Sequence, residues 1–66
     1  MSIVKVIEVI SEGKSVDDAI KAAVADAAKT LDNILQINVD HIEAIVEKQK
    51  VTKFRVGAKI SFLVKH

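Results

Sequence analysis

Few side chains in this chain of 66 residues could do chemistry, and their spacing decides what each can do. Gly13-Lys14-Ser15 sits where a strand gives way to a helix, as at the end of a phosphate-binding P-loop. Such a loop needs another glycine five positions earlier, so that backbone N–H groups can close on phosphate. That position is Glu8, a carboxylate within the preceding strand. The tripeptide therefore reads as a turn glycine followed by a helix cap. His41 lies on a strand near Asp40 and Glu43, which raises metal binding or proton transfer. Strand alternation sends Asp40 to the opposite face, and one imidazole with one carboxylate falls short of a ligand set. His41 is expected as a partly exposed strand residue, and His66, the last residue, as a mobile end.

The remaining candidates are weaker as catalysts. Asp17 and Asp18 at a helix start could bind a divalent cation, but Asp26 lies roughly 12 Å further along the axis and cannot join them. They read as a solvated helix face. No nucleophile has an activating neighbour and no acid pair has catalytic spacing, so the chain is not expected to be an enzyme. The absence of cysteine removes disulfides and thiolate metal sites. Phe54 and Phe62 share a regular apolar face and read as core, not as a stacking platform. Gln36 and Arg55 differ from all of these. Each is polar, mid-strand and directed away from the predicted core. In a monomer they meet solvent; in an assembly that covers this sheet face they line an interior or a ligand pocket.

Four elements must position these residues. Ser2 to Ile10 is a strand rich in β-branched side chains, with Val4 and Val6 on one face and Ile3, Ile7 and Val9 on the other. Apolar on both sides, it requires cover on both sides. Ser11-Glu12-Gly13-Lys14 reads as a polar turn. Ser15 then caps a helix whose first turn carries Asp17 and Asp18, where the helix dipole favours anions. Val16, Ala19, Ile20, Ala23, Val24, Ala27 and Leu31 recur at helical spacing, a stripe of mostly small residues that can lie close to a sheet. The helix is expected to end near Asp32-Asn33, where Asn suits a left-handed backbone.

Ile34 to about Val46 is the second strand, with Leu35, Ile37 and Val39 on one face. Beyond His41 the pattern inverts to Ile42, Ala44 and Val46. Such a phase change signals a bulge, a bend or a different partner for the distal half. On the last reading, the distal half packs on another subunit. Val51 to Val64 is the third strand and alternates throughout. The order is β-α-β-β. Placing the third strand between the other two gives an α+β fold, a three-stranded antiparallel sheet of order 1-3-2 with one helix on one face.

Ten Lys and Arg against nine Asp and Glu leave a net charge of +1, and half the residues are hydrophobic. The mixed charges argue against a nucleic-acid coat protein. No apolar run approaches the ~20 residues of a bilayer span, and no signal-peptide layout opens the chain. A soluble cytoplasmic protein of one domain, residues 1–66, is expected, with no membrane partner. A domain below roughly 70–80 residues needs a staple, and without disulfide or metal the remaining one is oligomerisation.

The opening Val4-Lys5-Val6-Ile7-Glu8-Val9-Ile10 and the helix start Ser15-Val16-Asp17-Asp18-Ala19-Ile20 resemble those of the dodecins. So do Thr30-Leu31-Asp32-Asn33-Ile34 and the strand Phe54-Arg55-Val56-Gly57-Ala58-Lys59-Ile60-Ser61-Phe62. The resemblance spans nearly the whole chain. It implies a hollow homo-dodecamer of tetrahedral symmetry, in which each sheet wraps partly around its helix. It also implies flavin storage or scavenging without catalysis, with riboflavin or FMN stacked in pairs at two-fold interfaces. Some bacterial members also bind coenzyme A. By position in the family, Gln36 stands where a tryptophan stacks on the flavin, and Arg55 where a glutamine hydrogen-bonds it. The chain is thus most similar to members lacking that tryptophan, including the calcium dodecins. Two readings follow: small-ligand binding or storage in an altered pocket, or a structural or ion-binding dodecameric shell that does not bind flavin. An arginine in the pocket favours a phosphate-bearing flavin such as FMN over riboflavin.

Overall fold

A computed structural model describes residues 2–65; His66 lies outside the described residues. The elements run β1 (Ile3–Gly13), α1 (Val16–Ala27), β2 (Ile34–Glu47) and β3 (Lys50–Val64). The sheet has the order β1-β3-β2, with β3 antiparallel to both neighbours. This is the α+β arrangement expected from the alternation of β3 and the helical stripe of α1.

Ser15 caps α1 as its position suggests: its backbone is extended and its hydroxyl accepts a hydrogen bond from the Asp18 N–H at 3.0 Å. The buried face of α1 is Ala19, Ala23 and Ala27, one alanine per turn. Against them lie Val56, Ala58 and Ile60, successive inward residues of β3. Ile7, Val9, Ile37 and Val39 flank this contact from β1 and β2. Methyl groups on the helix allow it to sit down onto the larger side chains of the sheet, where close-packed contact is possible.

Twelve residues of helix span about 18 Å, whereas the fifteen residues of β3 span about 50 Å at strand rise. The chain is 52 Å along its longest axis. Helix therefore covers roughly a third of one sheet face and none of the other. Ile42, Val46 and Val51, toward the β2–β3 hairpin, are more than half exposed, as are Val4, Val6 and Ile10 on β1.

The structure differs from the sequence reading at four places. Ser11, Glu12 and Gly13 are not a turn; they continue β1, paired with Val56, Arg55 and Phe54. Their polar composition suggests a turn, but β3 is long enough to supply partners for them. Gly13 has no left-handed φ. It is needed because a Cβ there would sit 2.7 Å from the backbone N of Ala19, where β1 and the start of α1 touch. The helix ends at Ala27, not near Asp32: Lys29 and Thr30 donate to carbonyls three residues back, tightening the chain out of the helix. Leu31 still packs on the core, and Asn33 adopts the left-handed backbone expected of it, with φ 59°.

The other two differences come from bulges in the β2–β3 pair. Ile34 pairs with Phe62 and Gln36 with Ser61, so Leu35 is an extra residue. It does not share the face of Ile37 and Val39; Ile34 takes the core position and Leu35 is exposed. Likewise Val39 pairs with Ala58 and His41 with Gly57, leaving Asp40 extra. Paired residues in antiparallel strands point the same way. Ile42, opposite Val56, and Ala44, opposite Phe54, therefore return to the helix side. The phase change is a bulge that keeps one apolar face continuous, and the opposite-face reading of Ile42 to Val46 is wrong.

Candidate functional site

The sheet face away from α1 collects the polar mid-strand residues. From β3 it receives Lys53, Arg55, Lys59 and Ser61; from β2, Gln36, Asn38, His41 and Glu43; from β1, Val4, Val6, Glu8, Ile10 and Glu12. At its centre Gly57 lies between Ile10 on β1 and His41 on β2. With no side chain on Gly57, the face has a hollow of about 480 Å³, rimmed by Glu8, Asp40, Glu43 and Arg55.

The sequence-derived pair Gln36 and Arg55 shares this face but does not converge. Gln36 stands opposite Ser61, six residues along β3 from Arg55. At strand rise that is about 20 Å. A single ligand touching both within one chain would have to lie along the sheet. Gln36 is exposed.

Arg55 is already engaged. Its Nε and Nη2 donate to Oε2 of Glu12 at 2.9 and 2.7 Å, and Lys53 Nζ donates to Oε1 at 3.1 Å. Arg55 and Lys53 beside it hold the Glu12 carboxyl below its ordinary value. Glu12 is the residue sequence reasoning missed. Placed in a turn it has no partner, and the only sequence signal was a carboxylate two residues past the end assigned to a strand.

The bulge also changes the surroundings of His41. Asp40 does not point away: its carboxylate accepts from Asn38 Nδ2 at 3.2 Å and pairs with Lys59 at 3.4 Å, both on the outer face. His41 Nδ1 lies 2.8 Å from the Asp40 carbonyl oxygen. A carbonyl only accepts, so Nδ1 carries the proton. Asp17 and Asp18 are exposed on α1. Among the described residues no group of three or more His, Cys, Asp or Glu is placed to hold a metal ion.

A flavin ring held by stacking needs a broad aromatic partner, and among the described residues the outer face offers only the small imidazole of His41. Phe54 and Phe62 pair with Ala44 and Ile34 on the helix side, and there is no Trp or Tyr in the chain. The residues present do not fit an isoalloxazine held by stacking.

The dodecin family model matches residues 3–65. The chain belongs to the dodecin family. Among solved structures, an arginine-to-alanine variant of the Thermus thermophilus dodecin superposes with a TM-score of 0.93 at 24% identity, each chain covered in full. The Streptomyces coelicolor dodecin gives 0.92 at 27% identity, covering 98% of this chain and 94% of that one. The Streptomyces davaonensis dodecin gives 0.91 at 20%, covering 98% and 97%. No curated protein sequence matched significantly. The dodecin fold is thus retained nearly end to end at low identity, and no helix in it is long and apolar enough to cross a membrane among the described residues.

Proposed function

We propose that this dodecin is a non-enzymatic homo-dodecamer that binds or stores a small ligand in an altered pocket and binds flavin weakly. The observation that carries assembly is the outer sheet face, where Val4 is 53%, Val6 54% and Ile10 75% exposed. Uncovered, these side chains form an apolar surface that association removes from water. The same association covers Gln36 and Arg55, and makes them pocket residues. The twelvefold number and the pocket positions come from the family.

The altered pocket follows from residue chemistry. Gln36 offers an amide plane smaller than an indole, and its donors and acceptors need partners once covered. Arg55 brings a charge that Glu12 already neutralises. A second reading, a structural or ion-binding shell in the manner of the calcium dodecins, is favoured by the lack of any Trp, Tyr or Phe on the outer face among the described residues. Coenzyme A remains the alternative ligand on the first reading.

Light scattering should give a mass about twelve times the 7.2 kDa chain. A monomer or dimer mass at micromolar concentration refutes the assembly. Fluorescence quenching then separates the two ligand readings, with riboflavin and FMN titrated into the parent and into Gln36→Trp with Arg55→Gln. Riboflavin affinity well above the parent's in the double variant supports a preserved backbone pocket. Tight riboflavin binding by the parent refutes the altered pocket.

A further inference from the structure

We infer that Lys53, Arg55 and Glu12 form an anion site closed by its own occupant, in which the Glu12 carboxylate holds the place of a ligand phosphate. Lys53 and Arg55 are two residues apart on β3 and so project from the same face. Their three donor atoms converge on one carboxylate, within 2.7–3.1 Å. Two cations around a group of three acceptor oxygens is the arrangement that suits a phosphate dianion. Glu12 reaches it from the neighbouring strand, forty-three residues away in sequence, at the last pair but one of the β1–β3 ladder.

The three side chains are partly exposed, Glu12 at 37% and Lys53 and Arg55 at 41% each, so a ligand can compete for the cations from solvent. An exposed ion pair of this kind is worth little, which makes the occupant displaceable. Glu43 faces Arg55 from β2 but makes no hydrogen bond to it among the described residues. It lowers the affinity of the site for any anion without blocking the donors. Glu12 thereby sets specificity: while it is in place, a phosphorylated ligand gains little over its neutral counterpart, and removing it restores the preference that Arg55 alone confers. This deepens the ligand-binding reading above, but its test does not depend on any flavin binding.

Arg55 is the sole arginine of the chain, so its Nε–Hε pair gives a single arginine resonance by NMR. Inorganic phosphate is titrated at constant ionic strength into the assembled parent, Glu12→Gln and Glu8→Gln. Glu8→Gln removes the same charge from the same face beside Lys59, four residues along β1 from Glu12 and with no hydrogen bond to Arg55 or Lys53 among the described residues. The half-saturating phosphate concentration should fall by about fivefold in Glu12→Gln, the upper range for an exposed pair, and stay within about twofold in Glu8→Gln. Glu12→Thr, a good strand former, replaces Glu12→Gln if that variant does not assemble. Equal half-saturation in Glu12→Gln and the parent, equal gains in both Gln variants, or no shift in any protein overturns the proposal. In parallel, FMN and riboflavin are titrated into the same proteins. If neither binds while the phosphate shift is enhanced, the flavin reading fails and the anion site stands.

Discussion

Replacing Gly13 by Ala adds one methyl group where β1 meets α1, and the geometry sets its cost. The new Cβ would stand 2.7 Å from Ala19 N and 3.1 Å from Ala19 Cα and Asp18 C, all backbone atoms that cannot rotate away. Restoring ordinary contact at 3.4 Å requires the helix start to retreat by about 0.7 Å. Ala19 is fully buried against Val56, so that retreat opens the central contact of the fold. Overpacking of this kind costs about 1–3 kcal/mol. Because Gly13 has no left-handed φ, alanine fits its backbone and restricts the unfolded chain, which returns about 0.4–1 kcal/mol. The net expectation is a loss of about 1–2 kcal/mol. Gly57→Ala is the control, since its Cβ would meet nothing in the chain nearer than His41 Cβ at 3.6 Å. Urea midpoints, compared at one protomer concentration because association shifts them, provide the measurement. Gly13→Ala at or above the parent's midpoint would refute the close-approach account.

Three further outcomes are expected. Ser15→Ala removes the acceptor for the Asp18 N–H and should cost about 0.5–2 kcal/mol in the same denaturation assay, with Ser15→Asp recovering most of it. Lys48 and Gln49 form the β2–β3 hairpin turn with φ of 51° and 68°. Changing them to Asn and Gly, which favour such turns, should therefore raise the urea midpoint by about 1 kcal/mol equivalent. Glu12 has a depressed carboxyl pKa when folded, so its pairing contributes stability above the ordinary value of 4.5 and loses it as pH falls through the folded pKa. Unfolding midpoints of the parent and Glu12→Gln should therefore converge below pH 4.5, and a gap that widens there would contradict the pairing.

The legible parts of this fold are those with an unbroken period. From Lys53 to Phe62 β3 alternates cleanly, and a one-sided stripe of alanines marks α1, so element order and sheet order are legible in the pattern. What pattern cannot show is pairing at a distance. Ser11-Glu12-Gly13 is strand only because β3 extends opposite it, and Glu12 acquires a role only through Arg55 and Lys53 across the sheet. Leu35 reads as core because its neighbours alternate correctly up to the bulge that displaces it. The candidate residues Gln36 and Arg55 were correctly expected to point away from the helix. The clamp on Arg55 was not legible, since no local rule ties a residue in an apparent turn to one forty-three positions later.

The bulge at Asp40 makes chain length adjustable at one point of β2. Substituting Asp40 removes its ion pair with Lys59 and the hydrogen bond it accepts from Asn38, and leaves every other side chain on its face. Deleting it removes only the unpaired residue: Val39, opposite Ala58, would be followed directly by His41, opposite Gly57, and the strand beyond would keep both its pairing and its faces. A single codon lost at this position is thus absorbed by the ladder, as is almost any codon exchanged there. Among natural or engineered relatives of this chain, alignments that slip by one residue near Asp40 assign half of β2 to the wrong surface.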